Sequence, residues 1–207
     1  ETNFYSAGKY ERIAANRTYN LEDDFKYITI SKWCKKWLIE KFGQDAAYAP
    51  NGIDTALFQP VERDYTGKIR ILIEGDSESE YKRVSESFQI TNQLDPDKFE
   101  VWYMSYHGRP KSWYRVDKFI HNIPHETVAE IYSQCHILIK SSVLESFSYP
   151  PLEMMATGGC VVVVQNEGNT EYVKDGLNCL TYPSGDIERA CELVAKIVSD
   201  EGLRSEE

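Results

Sequence analysis

Two carboxylates, Glu145 and Glu153, stand eight residues apart in the stretch Glu145-Ser-Phe-Ser-Tyr-Pro-Pro-Leu-Glu153. Pro150-Pro151 suits a helix start, because proline loses no hydrogen bond at the first helical positions and its φ is already helical. The spacing predicts a helix over 151–157, stopped by Gly158-Gly159, since glycine takes the left-handed conformation without a side-chain penalty. Glu153 then belongs to the first turn of that helix and Glu145 to the loop before it. A helix N-terminus between them presents unpaired N–H groups and the positive end of the helix dipole, which attracts an anion. Each carboxylate can accept two hydrogen bonds side by side, the geometry of a pair of neighbouring hydroxyls. The alternatives are ordinary: Glu153 as a first-turn residue complementing the dipole, Glu145 as a solvent-exposed loop residue.

The elements that must position these residues read as alternating strands and helices. Strands are expected at 69–73, 99–104, 116–120, 136–139, 160–164 and 178–182, and helices at 81–94, 125–133, 151–157 and 187–199. The strands are short, apolar and β-branched, the pattern of a parallel sheet buried on both faces. Helices of this length between them imply right-handed crossovers, so the fold class is α/β, a Rossmann-like parallel sheet with helices on both faces. In such sheets ligands bind at the carboxyl ends of the strands. Glu74, Ile123 and Glu145 each follow an expected strand and converge on that rim. Before this region, a helix is expected over 7–19, a strand at 25–30, a helix over 32–41 capped by Ser31, and a strand at 46–49. A polar, proline-containing stretch separates the two parts.

Composition narrows the field. The 207 residues leave room for one large domain or one and a half. A formal net charge of −10 argues against a nucleic-acid partner held by a general basic surface. The short loop carrying Arg109, Lys111, Trp113 and Tyr114 is read as plain surface. Five cysteines, at 34, 135, 160, 179 and 191, are odd in number and lack CxxC spacing, which points to free thiols in a reducing compartment. No apolar run reaches membrane-spanning length. The four histidines show no metal-ligand spacing, and no Asp-rich element is present to hold a divalent ion on a phosphate.

Residues 141–186 resemble the donor-binding region of the retaining, nucleotide-sugar-dependent glycosyltransferases of family four, which have the GT-B fold. The signature Glu-x7-Glu, usually followed after its first Glu by Gly-Phe-Gly-Leu-Pro, reads here Glu145-Ser146-Phe147-Ser148-Tyr149-Pro150. The run 154–163 and the segment Glu171-Tyr-Val-Lys-Asp-Gly-Leu-Asn178 follow the same pattern, and Asn51-Gly-Ile-Asp54 resembles the interdomain segment. The resemblance implies that residues 1–50 are the tail of an N-terminal, acceptor-side domain whose beginning lies outside this chain, 51–67 an interdomain linker, and 68–207 the C-terminal nucleotide-sugar domain.

The same resemblance assigns roles. Glu153 holds the donor ribose. Glu145 faces the donor sugar and its leaving phosphate. Phe147, Ser148 and Tyr149 present backbone N–H groups, with Ser where the family has Gly for close backbone approach. Lys82 contacts the pyrophosphate. The family's Arg position holds Asp76, and Arg83 stands where Gly is usual, so Arg83 is a candidate for the missing cation. The backbone at Ile123 meets the nucleobase. The implied activity moves a sugar from a nucleotide-diphosphate sugar to a saccharide or lipid-linked acceptor hydroxyl, without metal or cofactor, in surface polysaccharide or glycoconjugate synthesis. The expected place is the cytoplasm, including the inner face of the membrane. Two other readings stay open: a nucleotide-sugar-binding fragment without activity of its own, and another GT-B enzyme such as a nucleotide-sugar epimerase or a phosphorylase.

Overall fold

A computed structural model describes residues 9–21 and 25–204; residues 7 and 8 of the first expected helix lie outside them. The chain divides into two compact units, Glu1–Gly52 and Ile53–Glu207. In the first, α1 (Lys9–Thr18) precedes β1 (Tyr27–Thr29), α2 (Lys32–Phe42) and β2 (Ala46–Tyr48), and the two strands pair in parallel. Ser31 caps α2 by accepting from the Cys34 N–H at 3.4 Å. Gly43 ends it in the left-handed conformation at φ 65°. Tyr19, Trp37 and Phe42 form a mutual aromatic cluster.

The second unit carries β3 (Ile69–Glu74), α3 (Val84–Thr91), β4 (Phe99–Ser105), β5 (Lys118–His121), α4 (His125–Gln134), β6 (Ile137–Lys140), α5 (Tyr149–Ala156), β7 (Cys160–Val163), β8 (Leu180–Thr181) and α6 (Ile187–Ser199). All six strands run parallel in the order β5-β4-β3-β6-β7-β8. Side chains alternate between two faces. Leu72, Trp102, Leu138 and Val161 meet Val128 and Tyr132 of α4 and Met154 of α5. Ile71, Ile137, Ile139 and Val162 meet Ile90 of α3 and Leu193, Val194 and Ile197 of α6. The chain leaves β3 in one direction for β4 and β5, then returns to β3's other side for β6. Adjacent crossovers diverge at that point, so the carboxyl ends of β3 and β6 form the switch point of the sheet, the place where open α/β sheets bind ligands.

Residues 53–68 lie on this unit. Phe58 is in the core. Arg63 donates to the carbonyls of Tyr132, Cys135 and Thr157, at the C-terminal ends of α4 and α5, where a cation complements the helix dipoles. Among the described residues no helix is long and apolar enough to cross a membrane.

Three elements depart from the sequence reading. The helix expected over 81–94 is a 3-10 turn, Glu80–Lys82, then Arg83 at φ 51°, then α3; the left-handed residue stops one helical path and starts another. The strand expected at 116–120 begins at Lys118, because Asp117 already uses its backbone and its carboxylate on Val101. The helix expected over 151–157 starts at Tyr149, which puts the prolines at its second and third positions.

Candidate functional site

Glu74 ends β3, Lys140 ends β6, Lys82 closes the turn after β3, and Glu145 lies in the loop after β6. All four meet at the switch point. Lys82 Nζ donates to Glu145 Oε1 at 2.8 Å and to Oε2 at 2.9 Å. Lys140 Nζ lies 3.7 Å from Glu145 Oε1, pairs with the Glu74 carboxylate, and donates to the Glu74 carbonyl at 3.1 Å. Only 10% of the Glu145 side chain is exposed, so it is not a solvated loop residue. Burial alone pushes its carboxyl up, but the Lys140 and Lys82 ammonium groups and the nearby Ser142 hydroxyl outweigh burial and hold it below the ordinary range. Burial likewise works against the charge of Lys140, and Glu74 and then Glu145 reverse it, so the ammonium is held protonated.

The Glu145 loop is fixed from behind. A Cβ on Gly168 would fall 2.2 Å from the Glu145 carbonyl oxygen, so only glycine fits there. The Asn166 side chain donates to the Ser142 carbonyl at 2.8 Å and accepts from the Gly168 N–H at 3.0 Å, tying β7's following loop to β6's.

Glu153 occupies different ground. It is the fifth residue of α5, in the second turn rather than the first, so it is not a dipole-complementing first-turn residue. Its side chain is 8% exposed, with His125 Nε2 at 3.6 Å from Oε1 and the Tyr132 hydroxyl nearby. Burial raises its carboxyl above the ordinary range against the pull of Tyr132 and His125, and the Glu74 charge adds to the rise. Both carboxylates add to the rise that burial gives the Tyr172 phenol.

The segment between them carries the remaining expected residues. Ser148 is the N-cap of α5 at φ 68°, a conformation that favours glycine. Its hydroxyl is buried and without a partner among the described residues, and its carbonyl accepts from the Tyr172 hydroxyl. Phe147 is buried against Tyr172, with Tyr149 edge-on at 5.2 Å and more exposed. Ile123 follows β5 after Asn122, which is at φ 50°, and is partly buried against the core. Lys82, Glu145, Ser148 and Glu153 thus line the rim around β6 and α5. Arg83 does not join them: its guanidinium pairs with buried Glu86 at 3.1 Å, and Glu86 also accepts from Ser184 and Gly185. Asp76 is spent on its own turn, accepting from the Glu78 N–H and the Ser79 hydroxyl.

Four participants were not read from the sequence: Lys140, Glu74 as its partner, His125 and Tyr132. The signal for Lys140 was a charged residue closing an otherwise apolar strand. The signal for His125 and Tyr132 was their seven-residue spacing, which puts both on one face of α4. A separate cavity of 370 Å³ opens at the amino ends of β7 and β8, lined by Gly158, Gly159, Leu177, Ile197 and Arg204, on the rim opposite the carboxylates. Tyr114, in the basic-aromatic loop, stacks on Phe88 in the core.

Comparison with known proteins bears on the fold and the family. Residues 117–206 match the family described as Glycosyl transferases group 1. The chain is 27% identical over 202 residues to the O-antigen biosynthesis protein RfbC of Myxococcus xanthus, covering 93% of this chain but 16% of that protein. Among solved structures it is similar to Anabaena Alr3699/HepE in complex with UDP-glucose, with a TM-score of 0.76 and 17% identity, covering 92% of this chain and 59% of that one. It is also similar to the C-terminal domain of the glycosyl transferase group 1 protein LpcC of Francisella tularensis, with a TM-score of 0.61 and 20% identity, covering 74% of this chain and 91% of that one. The chain therefore spans a minor part of its curated relative and somewhat over half of the Anabaena protein. The fold is a parallel six-stranded α/β sheet flanked by helices, and its structural neighbours include glycosyltransferases.

Proposed function

We propose that this chain is the donor-binding part of a retaining glycosyltransferase of family four, which moves a sugar from a nucleoside-diphosphate sugar to an acceptor hydroxyl. The observation that carries the reading is Glu145, a buried carboxylate kept ionised between Lys82 and Lys140 at the sheet's switch point, with Glu153 buried eight residues on. The diphosphate lies against the start of α5 and Lys82. Glu153 accepts from the two ribose hydroxyls, and Glu145 orients the sugar and balances the positive charge that develops as the sugar–phosphate bond loosens. Lys82 and the N–H groups of α5 stabilise the departing diphosphate, so no metal ion is required. The departing phosphate is the base for the acceptor proton, which arrives on the same face. Residues 1–50 belong to the acceptor-side domain and 51–67 to the linker. Ile123 meets the nucleobase, and the Ser148 hydroxyl, orphaned and buried, gains a partner from the ligand. The relative in O-antigen biosynthesis and the neighbour with bound UDP-glucose support a polysaccharide acceptor and a nucleotide-sugar donor.

The test is calorimetric binding of this chain to uridine, thymidine, guanosine and adenosine diphosphates. Binding of one of them is expected, and Glu153→Ala should weaken it by about 1–3 kcal/mol, the cost of losing hydrogen bonds to a charged group. Unchanged affinity would remove the ribose role. A second reading, a binding piece without activity of its own, is favoured by the coverage of 16% and 59% of the relatives. Transfer of sugar to water or to added saccharide by this chain alone would decide against it.

A further inference from the structure

The two lysines on Glu145 differ in how free they are to leave it. Lys140 is sealed: its side chain is 2% exposed and is held by the Glu74 carboxylate, the Glu74 carbonyl and Glu145. The β3–β6 register ends at Ile73↔Ile139, so Glu74 and Lys140 are the next pair across the same two strands and are fixed by the sheet itself. Lys82 is 21% exposed and stands on a three-residue turn ended by a left-handed residue. Its Nζ spends two hydrogen bonds on Glu145, the contacts a phosphate would need. A carboxylate as buried as Glu145 cannot lose its sole counterion cheaply, but one with two can release the outer one.

We infer that the site works by cation exchange: on donor binding, Lys82 leaves Glu145 for the diphosphate, while Lys140 stays as the fixed counterion that keeps Glu145 charged and in place. This rests on the donor-binding reading above. Lys140 is a positioning residue, since Glu145 and Glu74 separate it from the ligand. The backbone is arranged for the exchange. Gly75, at φ 142°, lies beneath both lysines: a Cβ there would stand 3.6 Å from Lys140 Nζ and 3.6 Å from Lys82 Cβ. The other candidate cation of this turn, Arg83, is committed to Glu86, so Lys82 is the one that can move. The groups facing Glu145 are Lys82 from the turn after β3, Lys140 and Ser142 from β6 and its loop, Glu74 across Lys140, and the Tyr172 phenol from the loop after β7. The two lysines and two glutamates cancel in charge. Once Lys82 turns outward, Lys140 alone stands between two carboxylates. Without Lys140, Glu145 would have to take a proton from solvent.

The test is titration calorimetry with uridine diphosphate, or whichever diphosphate binds in the screen above, in two pH 7 buffers of different ionisation enthalpy. The parent chain should bind without proton uptake. Lys140→Met should bind about tenfold or more weakly and take up close to one proton, because a buried carboxylate loses its remaining partner when Lys82 departs. Lys140→Arg should restore parent behaviour. Glu145→Gln releases Lys82 beforehand and should bind the diphosphate more tightly than the parent. It decides the matter if Lys140→Met does not fold. Parent-like affinity and proton balance in Lys140→Met, or weaker diphosphate binding by Glu145→Gln, overturns the exchange. A parent chain that binds none of the four diphosphates removes the donor-binding reading itself, before any variant is compared.

Discussion

The surroundings of Glu145 and of Glu153 treat the same side chain in opposite ways. Both carboxylates are nearly buried on one rim, and burial pushes both toward the neutral form. Around Glu145 two ammonium groups reverse that push; around Glu153 a tyrosine hydroxyl and a histidine that is 59% exposed do not. Burial alone therefore does not tell which way a carboxyl shifts; the fixed cations do. A carboxylate held charged suits a place beside developing positive charge. One nearer its neutral form costs less to pair with neutral hydroxyls. The contrast gives physical content to the division between a sugar-facing and a ribose-facing residue.

The contrast is broken most severely at Lys140. Lys140→Met leaves Glu74 and Glu145 without their shared inner cation, and removing one partner of a buried ion pair costs about 3–5 kcal/mol. Urea denaturation at pH 7 should show that loss. Lys140→Met combined with Glu74→Gln should recover part of it, because one of the two stranded charges is then gone. A loss under about 1 kcal/mol, the scale of an exposed pair, would show that the cluster is solvated and that the two carboxylates do not differ in kind.

A smaller effect, with a diagnostic pH dependence, is expected at Glu145 itself. Its folded-state carboxyl titrates below its ordinary value of 4.5, so the stability it contributes is fully present above that value. That contribution is lost as pH falls through the folded-state value. Glu145→Gln should therefore be less stable than the parent at pH 7, by about 1–3 kcal/mol for a charge-assisted hydrogen bond. The gap should close in acid, below pH 4.5. A gap that is constant across this range would assign the loss to packing rather than to charge.

Much of the fold was legible because its strands are buried on both faces. The apolar runs at 69–73 and 160–164 have no polar face to confuse, and β3 and β7 form where expected. The pair Glu145 and Glu153 was legible from spacing. What could not be read was chemistry that depends on distant partners. Lys140 ended an apolar run and was left outside the strand, yet its partner Glu74 lies 66 residues away and meets it only after β3 and β6 pair. Gly168 gave no local hint that it lies against the Glu145 carbonyl. The left-handed conformations of Arg83 and Ser148 were concealed by their residue types, since positive φ ordinarily announces itself as glycine. The resemblance held the clue, because glycine is usual at both places. Arg83 is a candidate for the missing cation by sequence, and in the structure its guanidinium pairs with Glu86.

The finest test of the contrast is Glu153→Gln, where the sign should be opposite. A carboxyl raised above its ordinary value of 4.5, with no fixed ammonium beside it, burdens the folded state at pH 7. The burden eases as pH falls through the raised value and is gone below 4.5, where the unfolded chain is protonated too. A neutral glutamine of the same shape keeps an acceptor oxygen beside the Tyr132 hydroxyl and removes the charge. Glu153→Gln should thus be as stable as the parent or more so at pH 7, by a few tenths to about 1 kcal/mol, with the difference vanishing in acid. Its sign is what matters. A destabilised Glu153→Gln at pH 7 would mean that this carboxylate is also held charged in the empty site, and the asymmetry between the two glutamates would then lie in their ligands rather than in the protein.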